Sequence, residues 1–219
     1  MRILHSKKLI FISKPRCGST SARRFLDSMM QPGDEYSDYG NDNPDLHPHM
    51  SGPAVHAYLQ KKGNDFTEYQ TFTITRNPID MLWSYFNYFK PDINSNYYYS
   101  PTYDKDNLSN FEHWIECGRA GIGEWRIYCP SYINDTNFSP LSLEAHNIDK
   151  EGRKHIDKIF TLENIDECAE WLSGIFNCDV NIASLNTSNS VERPLVSSDG
   201  LARIINDFPT ESEQYKISL

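Results

Sequence analysis

Apolar and polar positions follow two different periods along the first ninety residues. The apolar run at 8–13 has the length of a buried strand, whereas apolar side chains after Gly18 recur at helical spacing. The predicted elements are a strand at 8–13, a helix at 19–30, a polar loop at 31–50, a helix at 53–62, a strand at 71–75 and a helix at 78–89. Strands that alternate with helices favour an α/β fold with a parallel sheet and right-handed crossovers.

The rest of the chain has a weaker pattern. Residues 90–110 are polar and rich in tyrosine, which predicts a long loop. Tyr97, Tyr98 and Tyr99 either stack on sugar faces or lie in a surface loop without a role. Further predicted elements are helices near 109–118 and 124–134, a strand at 157–162, a helix at 164–177 and a short last helix capped by Ser198. No internal repeat or linker is evident, so a single domain over 1–219 is the simpler interpretation.

The first strand-to-helix junction, residues 14–21, has the chemistry of an anion site. A tight turn at Gly18 before a helix leaves backbone N–H groups unpaired at the positive end of the helix dipole. Lys14 adds a cation, and the hydroxyls nearby add donors. The alternative is an ordinary corner in which Ser19 or Thr20 caps the helix and Gly18 relieves backbone strain. The chain has no Gly-x-x-x-x-Gly-Lys-Ser/Thr string, which disfavours a magnesium-dependent NTPase.

The second junction follows the strand at 71–75. Asn77 suits the N-cap and Pro78 the first helical position, so Arg76 is expected at the carboxyl end of the strand. Ser84 then lies two turns into the helix. Ligands of open α/β sheets bind at this edge, which suggests a second anion site. For either residue taken alone, the alternative is the better interpretation: Arg76 is a surface residue that forms an ion pair, and Ser84 is a hydroxyl that the helix tolerates.

Together the two junctions resemble the sulfotransferases that use 3′-phosphoadenosine 5′-phosphosulfate (PAPS). In that family, Pro-x-x-Gly-Ser/Thr-Thr/Ser holds the 5′-phosphosulfate, and Arg-Asn/Asp-Pro with a serine eight positions after the arginine holds the 3′-phosphate. Here these motifs are Pro15 to Ser21 and Arg76 to Ser84. Leu46-His47-Pro48-His49 is similar to the carbohydrate branch, especially the uronyl 2-O-type enzymes. The resemblance implies a P-loop-like three-layer α/β fold whose central parallel sheet is flanked by helices.

The resemblance also implies roles for individual residues. Lys14 is expected to neutralise the leaving group, and His47 or His49 to accept the proton of the acceptor hydroxyl. Glu163, near the end of the strand at 157–162, is expected to be structural. The Arg-Lys-Gly segment that completes the nucleotide site in cytosolic relatives is absent. Arg193 is the candidate to take its role, chosen by its position in the sequence only. The expected nucleotide ligands are Lys14, Arg16, Cys17, Gly18, Ser19, Thr20, Ser21, Arg76, Ser84 and Arg193.

Composition narrows the choice of partners. A net charge of −9 and a pI near 5.2 argue against a nucleic-acid binder. Five cysteines without CxxC spacing favour reduced thiols over a disulfide framework, and no metal is expected. No signal peptide or transmembrane segment is evident, so a cytoplasmic location is expected. The chain length favours a modest hydroxyl-bearing acceptor such as a glycan end, a glycolipid or a small alcohol.

Two other functions stay open from the sequence. A P-loop kinase or nucleotide switch would bind ATP or GTP with magnesium, and the missing Walker lysine speaks against it. A catalytically degenerate module of the same fold would bind PAPS without modifying an acceptor. The sequence leaves the acceptor and the oligomeric state undetermined.

Overall fold

The structure is a computed structural model that describes residues 1–38, 45–89, 111, 115, 141–182 and 195–219. The side chains of residues 87–89 are outside this description.

Five strands of the described residues form one mixed sheet in the order β3-β1-β2-β4-β5. β2, β4 and β5 run parallel, as predicted for the centre of the sheet. β1 pairs antiparallel with both β2 and β3, so the prediction of a sheet with parallel strands alone is wrong at this side. The cause is a single 3₁₀ turn between β1 and β2, because so short a connection joins only antiparallel strands. The strands are β1 (Arg2–Leu4), β2 (Leu9–Phe11), β3 (Glu35–Tyr36), β4 (Gln70–Thr75) and β5 (Lys158–Thr161).

Helices cover both faces of this sheet. Alternate residues of β2 face opposite ways, so Leu9 and Phe11 share one core with α1 and α5, whereas Ile10 belongs to a second core with α2. This arrangement confirms the expected three-layer α/β fold. The helices are α1 (Ser19–Met29), α2 (Gly52–Lys61), α3 (Pro78–Phe89), α4 (Leu143–Asn147), α5 (Ile165–Phe176), α6 (Ser198–Asp207) and α7 (Pro209–Gln214).

The predicted helices and strands agree with the observed ones to within two residues at each end wherever the structure describes both ends. The loop predicted at 31–50 is a correction, because it contains the two-residue strand β3, which is too short to give an apolar pattern. The cap of α6 is a correction: the hydroxyl of Ser197, and not that of Ser198, accepts from the Gly200 N–H over 3.1 Å. The loop at 90–110 and the helix at 124–134 lie outside the described residues. Of the helix at 109–118, Phe111 and Ile115 are described, and both are helical.

A third core joins the first loop to the last helices. It consists of α3 residues, Cys17 of the loop after β2, Phe111 and Ile115, and Ile204 and Phe208 near the end of the chain. The C-terminal helices therefore pack directly against both strand-to-helix junctions.

Candidate functional site

The two junctions leave the sheet at one edge. β2 and β4 are neighbouring parallel strands, with Phe11 opposite Phe72. The pairing continues beyond β2, because the Ile12 N–H donates to the Phe72 carbonyl over 2.8 Å. The carboxyl ends of both strands therefore lie side by side, and the loops at 13–18 and 76–77 begin there. Open α/β sheets bind their ligands at such an edge.

A side-chain contact joins the two junctions. Nε and Nη2 of Arg16 donate to Ser84 Oγ on α3 over 3.2 and 3.0 Å. Arg16 has a φ of +58°, which is uncommon for a residue other than glycine. Two of the predicted phosphate ligands, one from each junction, are therefore in direct contact.

Gly18 determines how the chain enters α1. Its φ is +71°, and a Cβ atom at this position would lie 2.5 Å from Leu162 Cδ1. Both the conformation and the close approach require glycine. No side chain caps α1, and the first-turn residues include the buried Ser19 and the half-buried Thr20. This helix start has the backbone donors and the partial positive charge that suit an anion.

The Cys17 side chain belongs to the core. It is fully buried and lies in one cluster with Leu82, Tyr85 and Phe208. Burial raises the pKa of its thiol to about 12, so the thiol is protonated at neutral pH and is not a nucleophile. The backbone N–H of Cys17 is the part of this residue that remains a predicted anion ligand. The Ser21 side chain is buried as well.

Lys14 lies at the carboxyl end of β2, and its side chain is completely buried. Its Nζ forms an ion pair with Glu211 Oε1 on α7 at 2.7 Å and also donates to the carbonyl oxygen of Leu141. The ammonium is therefore held by groups that are 127 and 197 positions away in the sequence. No sequence pattern predicts Glu211 as its partner, because α7 is short and polar.

The structure places His49 beside the first junction. His49 Nδ1 lies 2.7 Å from the carbonyl oxygen of Ser13, the residue before Lys14. Because a carbonyl only accepts, Nδ1 carries the proton and Nε2 carries the lone pair. Burial holds the pKa of His49 well below its usual value, so the ring is neutral at pH 7.

His47 is the outer member of the histidine pair. Its Nδ1 accepts from the His49 N–H over 3.2 Å, and the two ring centroids are 6.1 Å apart. Burial lowers the pKa of His47 to about 4. Both histidines are thus neutral at physiological pH, and His49 is the one that contacts the loop after β2.

Arg76 directly follows β4 and is partly exposed. In the described part of the chain, its guanidinium has no hydrogen-bond or ion-pair partner. Asn77 Oδ1 accepts from the Ile79 N–H over 3.0 Å, which confirms the predicted cap of α3. Glu163 Oε1 accepts from the Asn77 N–H over 3.3 Å, so Glu163 supports the start of α3, in keeping with its predicted structural role.

Two carboxyl groups near Lys14 were not predicted from the sequence. Glu211 Oε1 accepts from the Leu143 N–H over 2.8 Å, and Glu144 Oε1 accepts from the Thr210 N–H over 2.7 Å. The second oxygen of each carboxyl is buried and has no hydrogen-bond partner among the described residues. Burial raises the pKa of Glu211, and the neighbouring Glu144 raises it further.

Some predicted residues lie outside the described residues. Arg193 and the tyrosines at 97–99 are among them, so their predicted roles stay predictions. In the ranges that the structure describes, no group of three or more His, Cys, Asp or Glu side chains is arranged to hold a metal ion. Nor does any described helix have the length and apolar character that crossing a membrane requires.

The chain has a structural likeness to a solved protein but no sequence match to a known family. No protein-family model matches the chain, and no curated protein sequence matches it. Among solved structures, the chain is similar to mouse sulfotransferase SULT7A1 complexed with PAP, at 14% identity and a TM-score of 0.43. The match covers 97% of this chain and 83% of the mouse chain. At this level of likeness nothing follows about the chemistry of this chain.

Proposed function

We propose that this chain is a PAPS-dependent sulfotransferase that moves a sulfuryl group to a hydroxyl of a carbohydrate-like or small acceptor. The observation that carries the proposal is the contact of Arg16 with Ser84. It unites at one sheet edge the two motifs that resemble the 5′-phosphosulfate and 3′-phosphate sites of that family. If the turn at Gly18 were an ordinary corner and Arg76 an ordinary surface residue, the two junctions would have no functional reason to be in contact.

The residues at the edge fit the two ends of the donor nucleotide. The N–H groups at 17–20, at the start of α1, bind the 5′-phosphate, whereas the N–H of Ser21, which was also predicted as a ligand, already donates to the Gly18 carbonyl over 3.1 Å. Arg76 and Ser84 bind the 3′-phosphate, with a guanidinium fork suited to phosphate oxygens. Arg16 and Lys14 supply positive charge between these groups. PAPS bound there supplies an activated sulfuryl group and a phosphate leaving group, and the residues stabilise charge by position rather than by covalent chemistry.

His49 is the proposed proton acceptor. Its Nδ1–H is fixed on the Ser13 carbonyl, so Nε2 is the ring nitrogen whose lone pair takes the proton of an acceptor hydroxyl. Its burial keeps the ring neutral and therefore able to accept at physiological pH. His47, whose Nδ1 already accepts from the His49 backbone, is the second candidate.

The proposed acceptor is a glycan end, a glycolipid or a small alcohol. Support comes from the resemblance of the segment around His47 and His49 to the carbohydrate branch. The net charge of −9 disfavours a highly sulfated acceptor, although the local field at the site governs docking.

Nucleotide binding tests this proposal first. Thermal unfolding is measured with 3′-phosphoadenosine 5′-phosphate (PAP), the nucleotide product, and separately with ATP plus magnesium. A ligand at a hundredfold excess over its Kd stabilises the native state by about 2.7 kcal/mol. We expect PAP alone to raise Tm, and Arg76→Ala to reduce that rise.

Arg153→Ala is the matched control. Arg153 is an exposed arginine that precedes β5, and it therefore lies toward the opposite edge of the parallel strands from Arg76. Its variant should respond to PAP as the wild type does. A response to ATP with magnesium alone, or no response to either nucleotide, would overturn the proposal and favour the kinase-like alternative. PAP binding without transfer from labelled PAPS to any sugar or alcohol would favour the degenerate module.

A further inference from the structure

Lys14 and Glu211 form a buried ion pair between the first junction and the last helix. The two side chains are 0% and 1% exposed, and their charged atoms are 2.7 Å apart. Lys14 also donates to the Leu141 carbonyl, so the ammonium is held by groups outside the proposed donor site. These partners use two of the three ammonium protons, and because the side chain is completely buried, Lys14 must move from this position to contact a bound phosphosulfate.

The surroundings of Glu211 make it a replaceable partner. Lys14 is paired with Glu211, Glu211 has Glu144 as a second charged neighbour, and each carboxyl keeps one buried oxygen without a partner among the described residues. The other titratable groups nearby are the neutral thiol of Cys17 and the buried ring of His146. The cluster therefore holds more acceptor capacity than donors, and burial raises the pKa of Glu211 although Lys14 is adjacent.

α7 also contacts the second junction. The hydroxyl of Tyr215, directly after α7, donates to Glu163 Oε2, and Glu163 Oε1 accepts from the Asn77 N–H. The helix is thus connected to the loop after β2 through Glu211 and to the start of α3 through Tyr215. A movement of the Lys14 side chain therefore acts directly on α7, because it breaks the contact with Glu211.

We propose that Glu211 is a positioning residue that competes with the bound donor for the Lys14 ammonium, so that nucleotide binding loosens α7 from the loop after β2. The inference rests on the proposed function, because it requires an anion at this loop. A phosphate offers several charged oxygens and up to two negative charges to Lys14, whereas Glu211 contacts it through one oxygen of a singly charged carboxylate. Glu211 takes up a proton when the ammonium leaves, so no unpaired carboxylate remains buried.

Hydrogen exchange on the wild-type chain tests this without a variant. The amides of Ser212 and Tyr215 donate to Phe208 and Glu211 within the last turns. Saturating PAP should speed the exchange of these amides by about threefold or more, while the amides of the loop at 17–21 become slower to exchange. A purely structural ion pair predicts unchanged or slower exchange in α7, and that result overturns the inference.

Affinity provides the second measurement. Glu211→Gln keeps an acceptor for the Leu143 N–H but removes the competing charge, so PAP should bind roughly tenfold more tightly. Glu213→Gln, an exposed position on the same helix, should leave the affinity unchanged. If folded Glu211→Gln binds PAP with unchanged or lower affinity, the inference that Glu211 competes for Lys14 is overturned. PAP binding without release of α7 overturns only this inference, whereas no PAP binding at all overturns the proposed function and this inference with it.

Discussion

The guanidinium of Arg16 donates two hydrogen bonds to the hydroxyl oxygen of Ser84, although the two residues are 68 positions apart. The contact crosses from the loop after β2 to the second turn of α3. It links the two junctions that are proposed to bind the donor nucleotide.

Ser84→Ala therefore tests the second junction. The variant loses one phosphate donor and leaves Arg16 without this acceptor, so we expect PAP affinity to fall about five- to tenfold by isothermal titration calorimetry. The free energy of unfolding should change by no more than about 1 kcal/mol. Ser28→Ala removes a helix serine whose hydroxyl bonds its own helix at Phe25, and it should bind PAP normally. Equal affinity of the Ser84 and Ser28 variants would contradict the assignment.

Gly18→Ala separates backbone strain from close contact. The variant must place a Cβ at a φ of +71° and within 2.5 Å of Leu162 Cδ1, so we expect a loss of about 2–4 kcal/mol in urea unfolding. Gly33 has a φ of +97° and nothing lies within 4 Å of its added Cβ. Gly33→Ala should therefore lower the free energy of unfolding by the cost of backbone strain alone, about 1–2 kcal/mol. If the two losses are equal, contact with Leu162 has no role. Adding Leu162→Ala to Gly18→Ala should recover part of the stability that Gly18→Ala loses beyond Gly33→Ala, because it removes the atoms that the new Cβ meets.

His49→Gln tests the proton acceptor. We expect kcat with labelled PAPS and an accepted sugar or alcohol to fall about 10²- to 10⁴-fold, with the Kd for PAP changed less than about threefold. His47→Gln should lower kcat less, because His47 contacts the backbone of His49 rather than the loop after β2. His56→Gln is the control, since this ring stacks on Phe66 and lies in a tilted contact with His155. A larger loss of kcat at His47 than at His49 would reverse the assignment.

The sequence predicted the centre of this site better than its surroundings. β2, β4 and the starts of α1 and α3 follow from local signals: apolar runs, a glycine turn, and the Asn77-Pro78 cap. β1 was missed because a three-residue strand that contains Arg2 has no apolar run of its own. Arg2 is buried there only because Asp27 and Asp38 pair with it.

Glu211 could not be predicted for a related reason. α7 has the sequence PTESEQ, which is typical of an exposed segment, yet Glu211 and Ser212 are buried. Glu211 is held in the interior by contacts with Lys14 and Leu143, which are distant in sequence. The spacing of apolar and polar residues predicts which side chains face water, but it does not predict which charged side chain is buried against a partner.

Buried neutral histidines should make the protein sensitive to mild acid. Burial holds the pKa of His49 well below its usual value and lowers the pKa of His146 to about 3. Because these folded-state values lie below the unfolded value near 6.5, their stabilising contribution is complete above that pH and is lost as the pH falls below it. From pH 7 to pH 5, each ring should cost about 2 kcal/mol in the free energy of unfolding.

His146→Gln gives the measurement for this pH dependence. Its amide N–H replaces the ring Nδ1–H that bonds the Ser142 carbonyl, but the side chain does not titrate. Urea unfolding at pH 7 and pH 5 should show a smaller loss for this variant than for the wild type, by about 2 kcal/mol. The same loss in both proteins would mean that His146 takes up no proton on unfolding.

A double-mutant cycle on Lys14 and Glu211 measures how strongly the buried pair couples the first junction to the last helix. Lys14→Met leaves a buried carboxylate without its cation and should cost about 3–5 kcal/mol in urea unfolding. Adding Glu211→Gln removes that charge and retains an acceptor for the Leu143 N–H, so most of the loss should be recovered. Lys8 and Glu68 form the matched control, because their charged atoms are also 2.7 Å apart but both side chains are about half exposed. Since water screens exposed charges, that cycle should give a coupling below about 1 kcal/mol. A comparably small coupling for Lys14 and Glu211 would mean that the pair does not hold α7 in place, and the affinity gain expected for Glu211→Gln would then lose its physical basis.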